Sequence, residues 1–270
     1  MLLASAPDPR FISASDGVEL AAYEFGETDS PVVLAVHGFA SSASANWLDT
    51  GWVRDLTRAG FRVIAYDQRG HGASGKPHSP AAYSIETLTA DVAAVLDAFG
   101  VDRLGYVGYS LGARVGWQAA HRWEQRIRRA VLGGIPSGDP LRRFRIDHAR
   151  DFISHGVDVS DRLTSTYLDM ARRIPGNDLE ALVALVEGMR GGVEPTAQNA
   201  PGQPVLFATG SEDRILPASR ELAAIAPQGR FLEIPGRNHF NAPTARPFRT
   251  AAIAFLSEDV QTVQNAAGSL

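Results

Sequence analysis

Short apolar runs alternate with amphipathic helical stretches along the first half of this 270-residue chain. This alternation is typical of βαβ units, in which parallel strands form a sheet and the connecting helices cover its faces. Two runs at the start, over residues 10–14 and 19–25, are separated by Asp16-Gly17 and predict an antiparallel hairpin that joins the sheet. The pattern therefore predicts an α/β fold with a doubly wound, mostly parallel sheet.

Helical periodicity places the connections between these strands. Between Ser84 and Gly100 the apolar residues are spaced by three and four positions, so they share one helix face, and Gly100 ends the helix. Residues 47–59 are predicted to form a single helix that ends at Gly60. Each helix leads from one buried strand to the next.

The alternation stops after residue 135. From residue 136 to 201 the sequence shows two or three helical segments and no good strand, and one helix has a typical N-terminal signal in Asn177-Asp178-Leu179-Glu180. Strand-like runs then resume at 205–209 and 230–234. We therefore predict a core domain made of residues 1–135 and 202–270, with residues 136–201 inserted as a helical cap.

The most specific local motif is Gly108-Tyr109-Ser110-Leu111-Gly112, which follows a predicted strand and opens a predicted helix. A turn this tight strains the backbone of its central residue, and side chains at the two glycine positions would collide with it. The turn exposes the Ser110 hydroxyl at the carboxyl edge of the sheet. Ser110 is therefore the candidate nucleophile.

A serine hydroxyl needs a base within hydrogen-bond reach and an acid that orients the base. Of the seven histidines, His239 alone follows the last predicted strand in a loop. Asp213 follows the preceding strand and is the candidate acid, with neighbouring Glu212 and Asp139 as rivals. The chain order serine, acid, histidine is the order described for hydrolases built on this turn.

A tetrahedral intermediate also needs donors for its oxyanion. The backbone N–H of Leu111, directly after the nucleophile, is one candidate. The second is the backbone N–H of Phe39, because Gly38 lets the loop after an earlier strand turn this amide toward Ser110.

At these motifs the sequence resembles the α/β-hydrolase family. The resemblance includes the serine turn, Val36 to Phe39, Asp67 to Ser74, Gly210 to Pro217 and Gly236 to Phe240, and it extends over about residues 10–258. It implies an eight-stranded sheet with a helical cap and a serine esterase with a Ser110–His239–Asp213 triad. The segment from Asp67 to Ser74 is interpreted as a structural support for neighbouring loops.

The identity of the nucleophile limits which of the family's reactions the resemblance implies. Relatives that open epoxides or remove halide attack with a carboxylate, whereas Ser110 favours hydrolysis of a small carboxylic ester through an acyl-enzyme. A carbon–carbon bond hydrolase, a lactonase, a cofactor-free haloperoxidase or perhydrolase, and a non-catalytic receptor for a small ligand remain alternatives. Tyr109 and Phe240 replace the Asn and Trp usual in the carbon–carbon bond hydrolases.

Substrate contacts are expected from apolar side chains near the triad and beneath the cap. The candidates are Trp47, Tyr109, Leu216 and Phe240. The cap also contains an arginine-rich run, Arg142-Arg143-Phe144-Arg145 with Arg150, which we interpret as a solvated helix face.

Charge and composition limit the partners. The net charge of −4 shows no basic footprint for nucleic acid or anionic membrane, and the absence of cysteine excludes a thiol nucleophile and a disulfide framework. No histidine pattern indicates a metal, so neither metal nor cofactor is expected, and the partner is a small acyl substrate. The first ten residues do not resemble a signal peptide, so a cytoplasmic location is expected, and the oligomeric state is left open.

Overall fold

The computed structural model describes the backbone of residues 7–267 and the side chains of residues 7–258. The predicted outer limits of the core domain, residues 1 and 270, lie outside these residues. The strands are β1 Arg10–Ser13, β2 Glu19–Phe25, β3 Val32–Val36, β4 Arg62–Tyr66, β5 Leu104–Tyr109, β6 Ile127–Gly133, β7 Val205–Gly210 and β8 Gly229–Ile234. Within the described residues these eight strands form one sheet in the order β1-β2-β4-β3-β5-β6-β7-β8.

Strand directions agree with the sequence pattern. The hairpin strand β2 pairs antiparallel with β1 and with β4, and all other neighbouring strands from β4 to β8 are parallel. The carboxyl ends of the parallel strands therefore share one edge of the sheet. The predicted α/β fold with a mostly parallel sheet is confirmed.

Both faces of the sheet are buried, which explains the uninterrupted apolar runs. In β3 the side chains of Leu34 and Val36 belong to one hydrophobic cluster, and those of Val33 and Ala35 belong to the cluster on the opposite face. Successive side chains in a strand point to opposite faces, so a strand covered on both sides must be apolar at every position.

Eight α-helices accompany the sheet within the described residues, and the first departs from the prediction. They are α1 Trp52–Arg58, α2 Ile85–Ala98, α3 Leu111–Arg122, α4 Ile146–His155, α5 Arg162–Arg173, α6 Leu179–Gly188, α7 Leu216–Ile225 and α8 Arg246–Ala267. The single helix predicted over 47–59 is wrong. A π-helical turn covers Ser44–Leu48, and Gly51, with a φ of +82°, separates it from α1. A positive φ is incompatible with a continuous right-handed helix.

The helices α4, α5 and α6 lie between β6 and β7 in the chain, in the segment predicted as the cap, and we keep that name for residues 136–201. Asp178 caps α6 by accepting hydrogen bonds from the N–H groups of Glu180 and Ala181. The cap contacts the core next to this point, where Asn177 Oδ1 accepts from the N–H of Gly72 at 3.0 Å. No helix in residues 7–267 combines the length and apolar character of a membrane span.

Candidate active site

Ser110 occupies the strained turn between β5 and α3. Its φ is +53° and its ψ is −110°, a conformation rare for a residue with a side chain. A Cβ atom at Gly108 would lie 2.3 Å from the carbonyl oxygen of Gly112, and one at Gly112 would lie 2.0 Å from that of Val36. Glycine is therefore required at both positions, as the motif predicts.

Three side chains from separate loops meet at the carboxyl edge of the sheet. The Nε2 atom of His239, in the loop after β8, lies 2.9 Å from Ser110 Oγ. Its Nδ1 atom lies 2.7 Å from Oδ2 of Asp213, in the loop after β7. Because Nδ1 faces a carboxylate, the neutral imidazole carries its proton there and presents an unprotonated Nε2 to the serine hydroxyl.

The geometry distinguishes Asp213 from its rivals. Its side chain is 4% exposed and faces His239 directly. Glu212, next to it, is exposed and forms no hydrogen bond with the histidine within the described residues. Asp139 uses its Oδ1 atom to accept from the N–H of Leu141 at 2.9 Å. The structure thus brings Asp213, and neither rival, into contact with His239.

The two predicted oxyanion donors flank the serine. A Cβ atom at Gly38 would lie 3.4 Å from Ser110 Cβ, so the loop carrying Phe39 passes directly over the nucleophile. In the part of the chain that the structure describes, the backbone N–H groups of Phe39 and Leu111 have no hydrogen-bond partner. Two unpaired donors beside a nucleophilic hydroxyl are the arrangement that stabilises a developing oxyanion.

Buried polar residues support this loop from below. The N–H of Ala40, a residue with a φ of +57°, donates to His71 Nε2 at 3.0 Å. The carboxylate of Asp67 accepts from the N–H groups of Ala43 at 2.7 Å and Ala73 at 2.9 Å. Burial lowers the pKa of His71 well below its usual value, so its imidazole is neutral and Nε2 can accept. These contacts agree with the structural role predicted for the segment from Asp67 to Ser74.

Two cavities adjoin Ser110. The first, here the large cavity, has a volume of about 810 Å³ and lies between the triad and the cap. The second, here the small chamber, has a volume of about 180 Å³ and lies on the side of the loop that follows Gly38. Ser110, His239, Phe39, Phe240 and the cap residue Tyr167 line both. A substrate bound at Ser110 therefore has room for two arms of unequal size.

The predicted substrate contacts divide into three groups. Phe240 is 54% exposed and lines both cavities, and Tyr109 is buried beneath the His239 loop and lines only the small chamber. Leu216, the first residue of α7, lines neither of the two. The prediction that Trp47 contacts substrate is wrong, because its side chain is fully buried against Trp52 and lines neither cavity.

The arginines of the cap lie in two different environments in the structure. Arg145 pairs with Asp147 at 2.8 Å and Arg150 pairs with Glu187, so both point to the cap surface as a solvated run would. Arg143 lines the large cavity. Among the described residues, no cluster of three or more histidine, aspartate or glutamate side chains could hold a metal ion.

Three residues that line the two cavities belong to none of the sequence motifs. Tyr167 comes from α5, and burial together with the charge of Asp213 raises its pKa to about 12, which keeps its hydroxyl neutral. Asn46 lines the small chamber with a buried Nδ2 that has no partner. Arg114 lines the large cavity, and here a signal existed, since positions i and i+4 of a helix share a face and Arg114 follows Ser110 by four residues.

Comparison with known proteins places this chain in a family. A sequence model of the alpha/beta hydrolase fold matches residues 31–245. The chain belongs to this family. It is 37% identical to an epoxide hydrolase A of Mycobacterium tuberculosis over 132 residues, which are 49% of this chain and 40% of that protein. The chain therefore matches less than half of that relative's length.

Two further proteins match over most of their length and most of this chain. A bifunctional esterase/perhydrolase of Acinetobacter calcoaceticus is 25% identical over 261 residues, which cover 85% of this chain and 92% of that one. The crystal structure of an enol-lactonase from Burkholderia xenovorans LB400 is 25% identical, with a TM-score of 0.76, and covers 92% of this chain and all of its own. The printed names of these relatives refer to epoxide, ester and lactone chemistry.

Proposed function

We propose that this alpha/beta hydrolase is a serine esterase that cleaves a small carboxylic ester through an acyl-enzyme. The observation that carries the proposal is the chain of hydrogen bonds from Asp213 through His239 to Ser110, with distances of 2.7 and 2.9 Å. A serine oxygen in this position is a nucleophile for acyl carbon, and the histidine is its base.

The first half of the reaction follows from the atoms present. Ser110 Oγ attacks the acyl carbon while His239 Nε2 takes the hydroxyl proton, and Asp213 stabilises the imidazolium through Nδ1–H. The negative charge that develops on the acyl oxygen faces the N–H groups of Phe39 and Leu111 at the N-terminus of α3, where the helix dipole is also favourable. His239 then gives its proton to the departing alcohol.

Water completes the cycle. His239 removes a proton from a water molecule as it attacks the acyl-enzyme, and the same two N–H groups receive the second oxyanion. The carboxylic acid leaves, and Ser110 regains its proton from His239. The serine also argues against epoxide opening, since the epoxide-opening relatives attack with a carboxylate at this position.

Hydrolysis of p-nitrophenyl esters of increasing acyl length tests this proposal. We expect turnover in the wild type and a loss of about 10³-fold or more in Ser110→Ala, together with loss of labelling by a fluorophosphonate probe. Ser13→Ala is a matched control, because Ser13 is exposed in β1 and lines neither cavity. If the wild-type protein is not labelled by the probe and hydrolyses none of the esters, the assignment of Ser110 as nucleophile is contradicted. That result would favour the alternative of a non-catalytic receptor.

Lactone hydrolysis is the second candidate. The observation that favours it is the similarity of nearly the whole chain to the enol-lactonase. A lactone is an ester whose acyl and alcohol arms are joined, so the same triad and oxyanion donors apply. Ring opening of simple lactones, measured as proton release beside the linear methyl esters of the same acids, distinguishes the two.

A further inference from the structure

The large cavity contains a buried cation close to the nucleophile. Arg114 lies in the first turns of α3, and its backbone N–H donates to the carbonyl of Ser110 at 3.0 Å. Its side chain lines the same cavity as Ser110 although the residue is only 7% exposed. A guanidinium stays charged in proteins, so burial here costs free energy unless the charge is paired.

The protein only partly satisfies this guanidinium. Nη1 donates to the carbonyl of Gly138 and Nη2 donates to that of Val193 at 2.8 Å, which ties the two ends of the cap to α3. Nε is buried and has no hydrogen-bond partner among the described residues. Two of the five N–H groups thus have acceptors, and both acceptors are neutral.

No carboxylate of the described residues forms an ion pair with Arg114. Burial lowers its pKa, and the more distant charges of Glu194 and Asp139 oppose this shift without a hydrogen bond. The cavity as a whole is not cationic, because its lining includes four arginines and four acidic residues. The unpaired charge is therefore a local property of Arg114, one helical turn from Ser110.

We propose that Arg114 binds a carboxylate on the far end of the substrate arm that occupies the large cavity. The substrate class is then a half-ester or lactone of a dicarboxylic acid, with its scissile carbonyl at Ser110 and its free carboxylate at Arg114. This deepens the proposed esterase function and rests on it. A substrate carboxylate would provide the hydrogen-bond acceptor and the negative charge that Arg114 lacks among the described residues. Hydrogen bonds between charged groups are stronger than those between neutral groups.

A pair of substrates that differ only in charge tests the assignment. The monomethyl ester of glutarate and the methyl ester of 5-oxohexanoate have the same spacer of three methylene groups and the same number of non-hydrogen atoms, and a neutral acetyl group replaces the carboxylate in the second. We expect wild-type kcat/KM to favour the glutarate ester by about tenfold to hundredfold, the range that a charged hydrogen bond contributes. Monomethyl succinate and monomethyl adipate, which have a shorter and a longer chain, then show which spacing between scissile carbonyl and carboxylate the site prefers.

Substitutions separate recognition from support of the cap. Arg114→Gln should bring the ratio of the two substrates close to one, whereas Arg114→Lys, which keeps the charge, should retain part of it. Arg143→Gln removes an exposed arginine of the same cavity and should leave the ratio within about threefold, because solvent screens that charge. Equal losses on both substrates in Arg114→Gln would reduce Arg114 to a cap support and overturn the proposal.

Failure of the inference and failure of the esterase function give different results. Turnover of the neutral ester without preference for the charged one would overturn the carboxylate site and leave the esterase intact. If neither ester is hydrolysed, calorimetry with Ser110→Ala decides, since binding needs no chemistry. Binding of monomethyl glutarate by Ser110→Ala and its loss in Ser110→Ala/Arg114→Gln would uphold the site, and absence of binding in both would refute it.

Discussion

The hydroxyl of Tyr109 donates a 2.6 Å hydrogen bond to the backbone carbonyl oxygen of His239. The residue directly before the nucleophile thus holds the loop that carries the base. The two rings also lie near each other, with centroids 5.5 Å apart. Burial raises the pKa of Tyr109 well above its usual value, and the charge of Asp213 adds to this, so the hydroxyl remains a donor.

Removing this hydroxyl should affect catalysis more than stability. In Tyr109→Phe the ring still fills its space, but the carbonyl of His239 loses its donor and the imidazole is less well fixed over Ser110. We expect a several-fold fall in kcat with little change in KM, and a loss of about 1 kcal/mol in the free energy of unfolding. Ester hydrolysis and urea denaturation measure the two effects.

Tyr83→Phe is the matched control for that substitution. The Tyr83 hydroxyl also donates to a backbone carbonyl, that of Pro77 at 2.7 Å, and the residue is similarly buried. Within the described residues it forms no hydrogen bond and no ring contact with the triad. A similar loss of stability with unchanged kcat is expected, and an equal fall of kcat in both variants would contradict the role of Tyr109.

The identity of the acid can be tested by amide substitution. Asp213→Asn keeps the shape but gives His239 Nδ1 the wrong partner, and we expect kcat to fall by about 10⁴-fold. Glu212→Gln and Asp139→Asn should each retain activity within a few-fold. A large loss in either of these two, with Asp213→Asn active, would transfer the role to the rival.

The glycines of the nucleophile turn should tolerate substitution by alanine less well than Gly38 does. A methyl group at Gly112 would meet the backbone oxygen of Val36 at 2.0 Å, and backbone cannot move aside cheaply. Gly112→Ala should therefore fail to fold or lower Tm strongly. At Gly38 the nearest atoms are 3.4 Å away, an ordinary contact, so Gly38→Ala should keep a Tm close to the wild type. Thermal unfolding compares them.

An exposed histidine links cap and core in a pH-dependent way. His78 Nε2 lies 2.9 Å from Asp178 Oδ2 and Nδ1 lies 2.9 Å from Glu180 Oε2, at the start of α6. The hydrogen bond with Asp178 raises the pKa of His78, and the charges of Asp178 and Glu180 add to it. Burial is the largest single influence on Asp178 and would by itself raise its pKa, but the hydrogen bonds from His78 and from the backbone N–H groups of Ala181 and Glu180, together with the charge of His78, outweigh it and the pKa is lowered.

The sign of the effect follows from the direction of these shifts. A raised histidine pKa stabilises the folded state fully below the unfolded value of about 6.5, and this contribution disappears as the pH rises through the folded pKa. The carboxylate contribution is present above about pH 4 and is lost on acidification. We expect wild type to exceed His78→Gln in Tm near pH 5.5 and to match it near pH 8.5. A difference in Tm between wild type and His78→Gln that grows with pH would contradict this prediction. Solvent screening keeps the effect small.

Much of the fold could be predicted from the sequence because the patterns that indicate it are local. The periodicity of α2, the apolar runs of β3 and β4, and the glycine-flanked Ser110 each report a geometry that neighbouring residues impose by themselves. The helix predicted over 47–59 failed for a related reason: its amphipathic pattern continues through Gly51, whose positive φ interrupts the helix and leaves Trp47 in a separate turn.

What the sequence by itself determined is the order of the elements and the residues at the carboxyl ends of β5, β7 and β8, because parallel strands bring those ends to one edge. The tertiary structure alone decided which side chains complete the site. Arg114 is a buried cation because carbonyls at the two ends of the cap bind its guanidinium, and Trp47 is excluded because its ring packs against Trp52 in the core. Such placements depend on contacts between residues far apart in the chain, which no local pattern encodes.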